Sequence, residues 1–153
     1  MVRVGLISDT HGLLRPQALA ALRGSDFIVH GGDIGNAQIL AQLATLAPVT
    51  AVRGNNDRGE WADGVPETAL LEVGGVRIHV LHDVQALAFD PAGSGIRVVV
   101  SGHSHRPQVE ERGDVLFVNP GSAGPRRFNL PVSIAELRVD GAAVSARLVT
   151  LGL

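Results

Sequence analysis

In VRVGLISDTHG, Val2 to Gly12, an apolar run stops abruptly at Asp9, with His11 two residues on. Val2–Ser8 reads as a short core strand, and the segments after it set the architecture. PQALAALRG (16–24) has the signature of a helix opened by Pro and closed by Gly, and DFIVHG (26–31) is a second strand. NAQILAQLATLA (36–47) carries apolar residues at helical spacing behind an Asn, and PVTAVRG (48–54) returns to strand. This β-α-β-α-β order predicts parallel pairing with right-handed crossovers. The second half changes character. ETALLEVGGVRIHVLH (67–82) reads as a hairpin around Gly74 and Gly75, and IRVVVSG (96–102) as a buried strand. DVLFVNPG (114–121) and VSIAELRVDGAAVSARLVTL (132–151) supply three further strands. Many strands with few helices predict a second sheet packed on the first, in a layered α/β sandwich.

Bulk properties narrow the function. A chain of 153 residues with 45% hydrophobic content is long enough for one domain, residues 1–153, with a substantial core. The net charge of −2 and pI near 6.3 carry no polyelectrolyte signature, so a nucleic-acid partner is not expected. With no cysteine, disulfides, thiolate zinc sites and a cysteine nucleophile are excluded. MVRVGLIS is too short for the apolar core of a signal peptide, and no apolar run approaches the roughly 20 residues that span a bilayer. The expectation is a soluble cytoplasmic protein without a membrane partner. Apolar strand surface left exposed could make a homodimer.

The strands share a regularity: nearly every one runs into Asp, Asn or His. Asp9 and His11 follow the first, Asp33 the second and Asn55 the third. His82 closes VRIHVL, and His103 and His105 follow IRVVVSG in the tetrapeptide GHSH. Ligands of α/β sheets gather at the carboxyl ends of strands. Five strand ends would thus deliver seven oxygen and nitrogen donors to one edge of the molecule. Singly these residues are ordinary: D-x-H and GGD also occur as plain turns, whereas GHSH is hard to explain by packing. Parity separates the remaining histidines. Ile78, Val80 and His82 share one strand face, whereas His79 lies on the other beside Arg77 and is read as a non-ligand. His30 suits a hydrogen-bonded structural role as well as one behind a ligand. Two Asp, one Asn and four His without Cys suit two first-row divalent ions, with imidazole accepting Mn²⁺, Fe²⁺, Co²⁺, Ni²⁺ or Zn²⁺.

Asp9-x-His11, Gly32-Asp33, Gly54-Asn55-x-Asp57, His82 and Gly102-His103-Ser104-His105 together resemble the five-part signature of calcineurin-like metallophosphoesterases. The resemblance runs over nearly the whole chain. Its short length, the early DTHG and NPGSAGPRR (119–127) look most like the YfcE-type bacterial and archaeal phosphodiesterases. The resemblance implies a four-layer αββα sandwich with two mixed β-sheets. It also implies two divalent transition-metal ions, Mn²⁺ foremost: Asp9, His11, Asp33 and His105 would hold one, and Asp33, Asn55, His82 and His103 the other. Such a pair can bind a phosphoryl oxygen and lower the pKa of a bridging water for in-line attack. Two divalent cations against two carboxylates and a hydroxide leave a formal charge of about +1 for a phosphate ester. Asn55 ligates without reducing that charge.

The implied activity is hydrolysis of small-molecule phosphodiesters. Two departures from the family pattern bear on it. Many relatives carry His at position 56, expected to protonate the leaving oxygen; Asn56 cannot donate a proton, though its amide can hydrogen-bond a phosphoryl oxygen. Asn56 and Asp57 are therefore the candidate catalytic residues, with Asp57 able instead to hold the loop or Arg58, and good leaving groups are expected to react best. Asp83, where many relatives have Gly, could accept the free ring N–H of a ligating histidine or cap the next segment; the cap is the expectation. Asn119 and Gly121 are read as shaping a turn near the metals. Arg126 and Arg127 are read as solvated charge, and Trp61 as packed. The resemblance leaves two other functions open: a phosphomonoesterase or nucleotide phosphatase, and a protein-binding scaffold like a eukaryotic retromer subunit.

Overall fold

The computed structural model describes residues 1–152. Strand β1 (Val2–Ile7), helix α1 (Pro16–Leu22), β2 (Phe27–His30), α2 (Ala37–Ala44) and β3 (Val49–Ala51) come in the predicted order. The three strands pair in parallel, Val4 opposite Phe27 and Ile28 opposite Val49. Pro16 opens α1, whose C-terminal end is tied to β1 by the Arg3 guanidinium donating to the Ala21 and Arg23 carbonyls at 3.0 and 2.8 Å. Asn36 caps α2, its Oδ1 accepting the Ile39 N–H at 3.2 Å. Both helices bury Ala18, Leu22, Ile39 and Leu43 against Ile7 and Ile28 on one face of this sheet.

The second sheet has the order β4-β5-β6-β8-β7. Its strands are β4 (Thr68–Val73), β5 (Val76–Leu81), β6 (Val98–Val100), β7 (Gln108–Arg112) and β8 (Val115–Asn119). β5, β6 and β8 run parallel, while β4 and β7 are antiparallel edges. Two mixed five-stranded sheets thus stand face to face, as expected. Val4, Leu6 and Val29 from the first meet Ile78, Val80, Val98 and Val100 from the second in a buried layer between them. The outer layer on the second sheet is thin. Leu81, Ile96, Val99 and Val115 are covered by Val84 and Leu87 from a segment whose only regular element is a 3-10 turn, Val84–Ala86. Pro91, Gly93 and Gly95 keep that segment from winding further.

Two strand expectations are corrected. The C-terminal hairpin, β9 (Ser133–Asp140) and β10 (Ala143–Thr150), does not extend the second sheet. It completes the first, with β9 antiparallel to β1 and Leu137 opposite Val4. This hairpin carries Glu136, a buried carboxylate ringed by Arg3, Arg138 and Arg147 at 3.2, 2.9 and 3.0 Å. β7, QVEER, has no counterpart among the strands expected from the sequence. As an edge strand with mostly exposed side chains it shows no apolar alternation to recognise. A single turn of helix, α3 (Glu60–Asp63), also lies in what reads as loop.

The layer assignment predicts a sharp contrast between two leucines. Leu137→Ala, in the layer between the sheets, should cost about 2–5 kcal/mol. Leu70→Ala, on edge strand β4 and about half exposed, should cost under about 0.5 kcal/mol. Urea denaturation of both variants measures the difference.

Candidate metal centre

The C-terminal ends of β1, β2, β5 and β6 converge on one pocket of donors. Asp9 is fully buried; its Oδ2 accepts from the Ser8 hydroxyl at 2.7 Å and the His103 backbone N–H at 3.1 Å. Its Oδ1 has no hydrogen-bond partner and lies 3.3 Å from His105 Nε2 and 3.7 Å from His11 Nε2. The two imidazole Nε2 atoms are 3.4 Å apart. Asp33 is held by the Asn56 backbone N–H on Oδ1 at 2.9 Å and turns Oδ2 towards His82 Nε2 at 3.2 Å and His11 Nε2 at 3.8 Å. Two sets of three therefore close on common points, Asp9–His11–His105 and Asp9–Asp33–His82.

This donor set fits a cation. Ligand atoms about 2.1 Å from one ion at tetrahedral angles stand about 3.4 Å apart, close to these separations. His82 is the sharpest case. Its Nδ1 lies 2.7 Å from the Gly31 carbonyl, an acceptor only, so Nδ1 carries the proton. In the neutral ring Nε2 then presents a lone pair to an Asp33 oxygen, an arrangement that needs a proton or a cation between them. Burial pushes the His82 pKa down, but the Asp33 carboxylate and the Gly31 carbonyl outweigh it and raise the value. Burial likewise opposes ionisation of Asp9 and Asp33. The facing imidazoles of His105 and His11, with the Ser8 hydroxyl, hold Asp9 below the usual carboxylate range, and His82 with the Asn56 N–H does so for Asp33. Cation binding displaces such protons.

Backbone strain marks the same residues. Among the described residues, six other than Gly have left-handed φ angles; Asp9, His11, Asp33, His103 and His105 are five of them. Each such residue costs about 1–3 kcal/mol and persists only where surrounding bonds over-determine it. Two glycines allow the approach. A Cβ on Gly54 would overlap the Asp33 backbone N and carboxylate, and one on Gly102 would stand 2.5 Å from Asp9 Oδ2.

The other two expected donors sit at the rim. His103 is nearly half exposed, its ring edge-on to His82 with centroids 5.2 Å apart. Asn55 is exposed and lines a cleft of about 470 Å³ with His82 and His103. Asn56 grips Asp33 through its backbone and, at 3.4 Å, its amide. Asp57, read as a candidate catalytic residue, is turned away from the centre. It is buried and accepts from the backbone N–H groups of Ile34, Gly35 and Gly54 at 2.9–3.1 Å, which clamps the loop after β3 to the loop after β2. Asp83 does cap the 3-10 turn, through Gln85 N–H at 3.1 Å. Trp61 packs against the core on the helix side of the first sheet, and Arg126 and Arg127 are exposed.

Several positioning groups escape a sequence reading. Ser8 and the Gly31 carbonyl carry no motif signal. Asn119 donates to the Gly102 carbonyl at 2.9 Å and Ser104 Oγ at 3.1 Å, so it steadies GHSH as well as its own turn. His30 is buried behind the ligands. Its Nδ1 accepts the Gly32 N–H, so Nε2 donates to Thr10 Oγ1, which donates on to the Ile34 carbonyl. His79 lies outside the centre, its ring edge-on to Phe89.

The profile of the calcineurin-like phosphoesterase superfamily domain matches residues 2–142. The chain belongs to this superfamily. It is 36% identical over 161 residues to a probable metallophosphoesterase of Methanothermobacter thermautotrophicus, covering 97% of this chain and 92% of that one. Phosphodiesterase YfcE of Escherichia coli is 30% identical over 176 residues, covering 95% and 92%. Wild-type Vps29 of Entamoeba histolytica, solved in complex with Zn²⁺, superposes with a TM-score of 0.76 at 25% identity, covering 97% and 99%. Family membership implies divalent metal ions and a phosphoester substrate. Among the described residues no helix is long and apolar enough to cross a membrane.

These contacts predict two outcomes. Asp57→Ala leaves the buried N–H groups of Ile34 and Gly54, and the partly buried one of Gly35, without an acceptor and should lower unfolding stability by roughly 2–4 kcal/mol, read by urea denaturation. His30 has its pKa pushed down to about 4, first by burial, against an ordinary value of 6.5. The unfolded chain therefore takes up a proton that the folded one refuses between these values. This contribution is complete above about pH 6.5 and is lost as pH falls towards 4, on the order of 3 kcal/mol in all. NMR of metal-free protein should find the His30 ring not titrating above pH 5.

Proposed function

We propose that this chain, acting as one domain, is a metal-dependent phosphodiesterase. Asp9, His11, Asp33 and His105 would hold one divalent ion, and Asp33, Asn55, His82 and His103 a second, with Asp33 shared. The observation that supports this best is the pair of buried atoms left without partners, Asp9 Oδ1 and His82 Nε2, inside a ring of strained ligand residues. The donors, oxygen and imidazole without thiolate, accept Mn²⁺, Fe²⁺, Co²⁺, Ni²⁺ or Zn²⁺, and the resemblance to metallophosphoesterases puts Mn²⁺ foremost.

When bound, such ions supply Lewis acidity towards a phosphoryl oxygen and lower the pKa of water to near neutrality. The rest is done by the chain. Ser8 and the His103 N–H fix Asp9 so that only Oδ1 faces inward. The Gly31 carbonyl sets the His82 tautomer, leaving Nε2 free to ligate. Asn55 offers a neutral amide oxygen, which keeps the centre positive towards an anionic ester. Asp57 holds the two loops in register, and Asn56 steadies Asp33. Nothing at position 56 can hand a proton to a departing oxygen, so esters whose leaving groups are already good should react best.

A phosphomonoesterase would use the same donors, so the choice between the two substrates falls to the charge of the ester and of the groups at the mouth of the centre. A protein-binding scaffold has no use for strained ligand residues after three strands and buried donor atoms left without partners, which favours the enzyme.

Protein stripped of metal and reloaded with Mn²⁺ or Ni²⁺ should hydrolyse bis(p-nitrophenyl) phosphate and bind two equivalents by elemental analysis. No hydrolysis with any of the five metals would sink the reading. Rates across a series of aryl and alkyl esters should fall steeply as leaving-group pKa rises. Asn56→His should flatten that slope, gaining on the poor leaving groups about 10²-fold or more.

A further inference from the structure

Asp83 places a carboxylate at the mouth of the centre. It lines both clefts that open beside His103: one bounded by Arg53, Asn55 and His82, the other by Gln85, Arg106 and Asn119. The side chain is anchored. Oδ1 accepts the Gln85 N–H at 3.1 Å at the start of the 3-10 turn, which leaves Oδ2 3.8 Å from His103 Nε2. Asp9 and Asp33 are buried and spend their charge on the ligand pocket, whereas Asp83 is 40% exposed and turns its charge to the clefts. Any ester entering by either cleft passes it.

We propose that Asp83 is a charge filter by which this site selects phosphodiesters over phosphomonoesters. The inference rests on the phosphoesterase reading of the centre and names the substrate class within it. A centre with two divalent ions against two buried carboxylates attracts both kinds of ester. A diester carries one negative charge, whereas a monoester carries nearly two above its second pKa of about 6. Asp83 therefore subtracts from the attraction twice as strongly for the monoester. One unit charge about 7 Å away in an effective dielectric of roughly 40–80 changes affinity about three- to sevenfold.

The test is Asp83→Asn, which keeps an Oδ1 for the Gln85 N–H and removes the charge. With Mn²⁺-loaded protein at pH 8 and low salt, the ratio of kcat/KM for p-nitrophenyl phosphate to that for bis(p-nitrophenyl) phosphate should rise about three- to sevenfold. The rise should shrink in high salt. Orthophosphate, a dianion at that pH, should bind the variant more tightly by a similar factor in calorimetry, with the same metal content. An unchanged ratio in a protein that cleaves the diester overturns the filter alone. So does an equal fall on both esters with loss of metal, which would make Asp83 only a support for His103. If wild-type protein cleaves neither ester, the phosphoesterase reading fails and the filter with it.

Discussion

A carboxylate with no solvent exposure and one bare oxygen is costly, and the centre is arranged around one. Asp9 gives Oδ2 to Ser8 and to the His103 N–H, and leaves Oδ1 facing two imidazoles. The bond from His103 is the telling one. It joins the end of β1 in the first sheet to the loop after β6 in the second, so the buried charge fixes how the sheets meet at this edge. It also sets the backbone of GHSH, whose two histidines take left-handed angles on either side of Ser104. Ionisation of Asp9, packing of the two sheets and aim of the histidines are one coupled arrangement.

The same economy recurs one strand over. Asp33 is gripped by Asn56, Asp57 ties the loop holding Asn56 to the backbone of Ile34 and Gly35, and Gly54 lets the two loops touch. None of these contacts needs an ion. The donors are therefore held in place by backbone hydrogen bonds and by cores on both faces of the first sheet, and a cation would meet a formed site. The exception is the rim. The side chains of Asn55 and His103 are exposed, so the second of the two proposed ion sites would be the less organised.

Much of this is legible in the sequence because two independent signals coincide. Apolar runs of strand length locate β1, β2, β5 and β6, and each ends in a donor at the point where an α/β sheet puts its ligands. Parity alone separates His82 from His79. What is not legible has physical causes. β7 makes an edge with charged residues, so burial leaves no pattern in it. The β9–β10 hairpin reads as part of the wrong sheet because alternation reports which residues are buried, not which neighbour they are buried against. Asp57 sits inside a catalytic-looking tripeptide, and only three-dimensional contacts reveal that its oxygens are consumed by backbone N–H groups. Ser8 and the Gly31 carbonyl act through position, which no residue-type pattern records.

The family comparison adds a reason to look beyond the ligands for what distinguishes this chain. A fold shared with a phosphodiesterase relative and a zinc-bound Vps29 cannot by itself choose a substrate. Discrimination must come from side chains that border the centre without joining it. Two such residues are Asn56, beside Asp33, and Asp83, beside His103. Asn56 has no proton to give a leaving oxygen, and Asp83 carries a negative charge. Neither side chain takes part in the hydrogen bonds of Asp9 or His82. On the proposed reading both would act on the ester itself, one on its leaving group and the other on its charge, and that is where two enzymes with identical metal ligands can still differ.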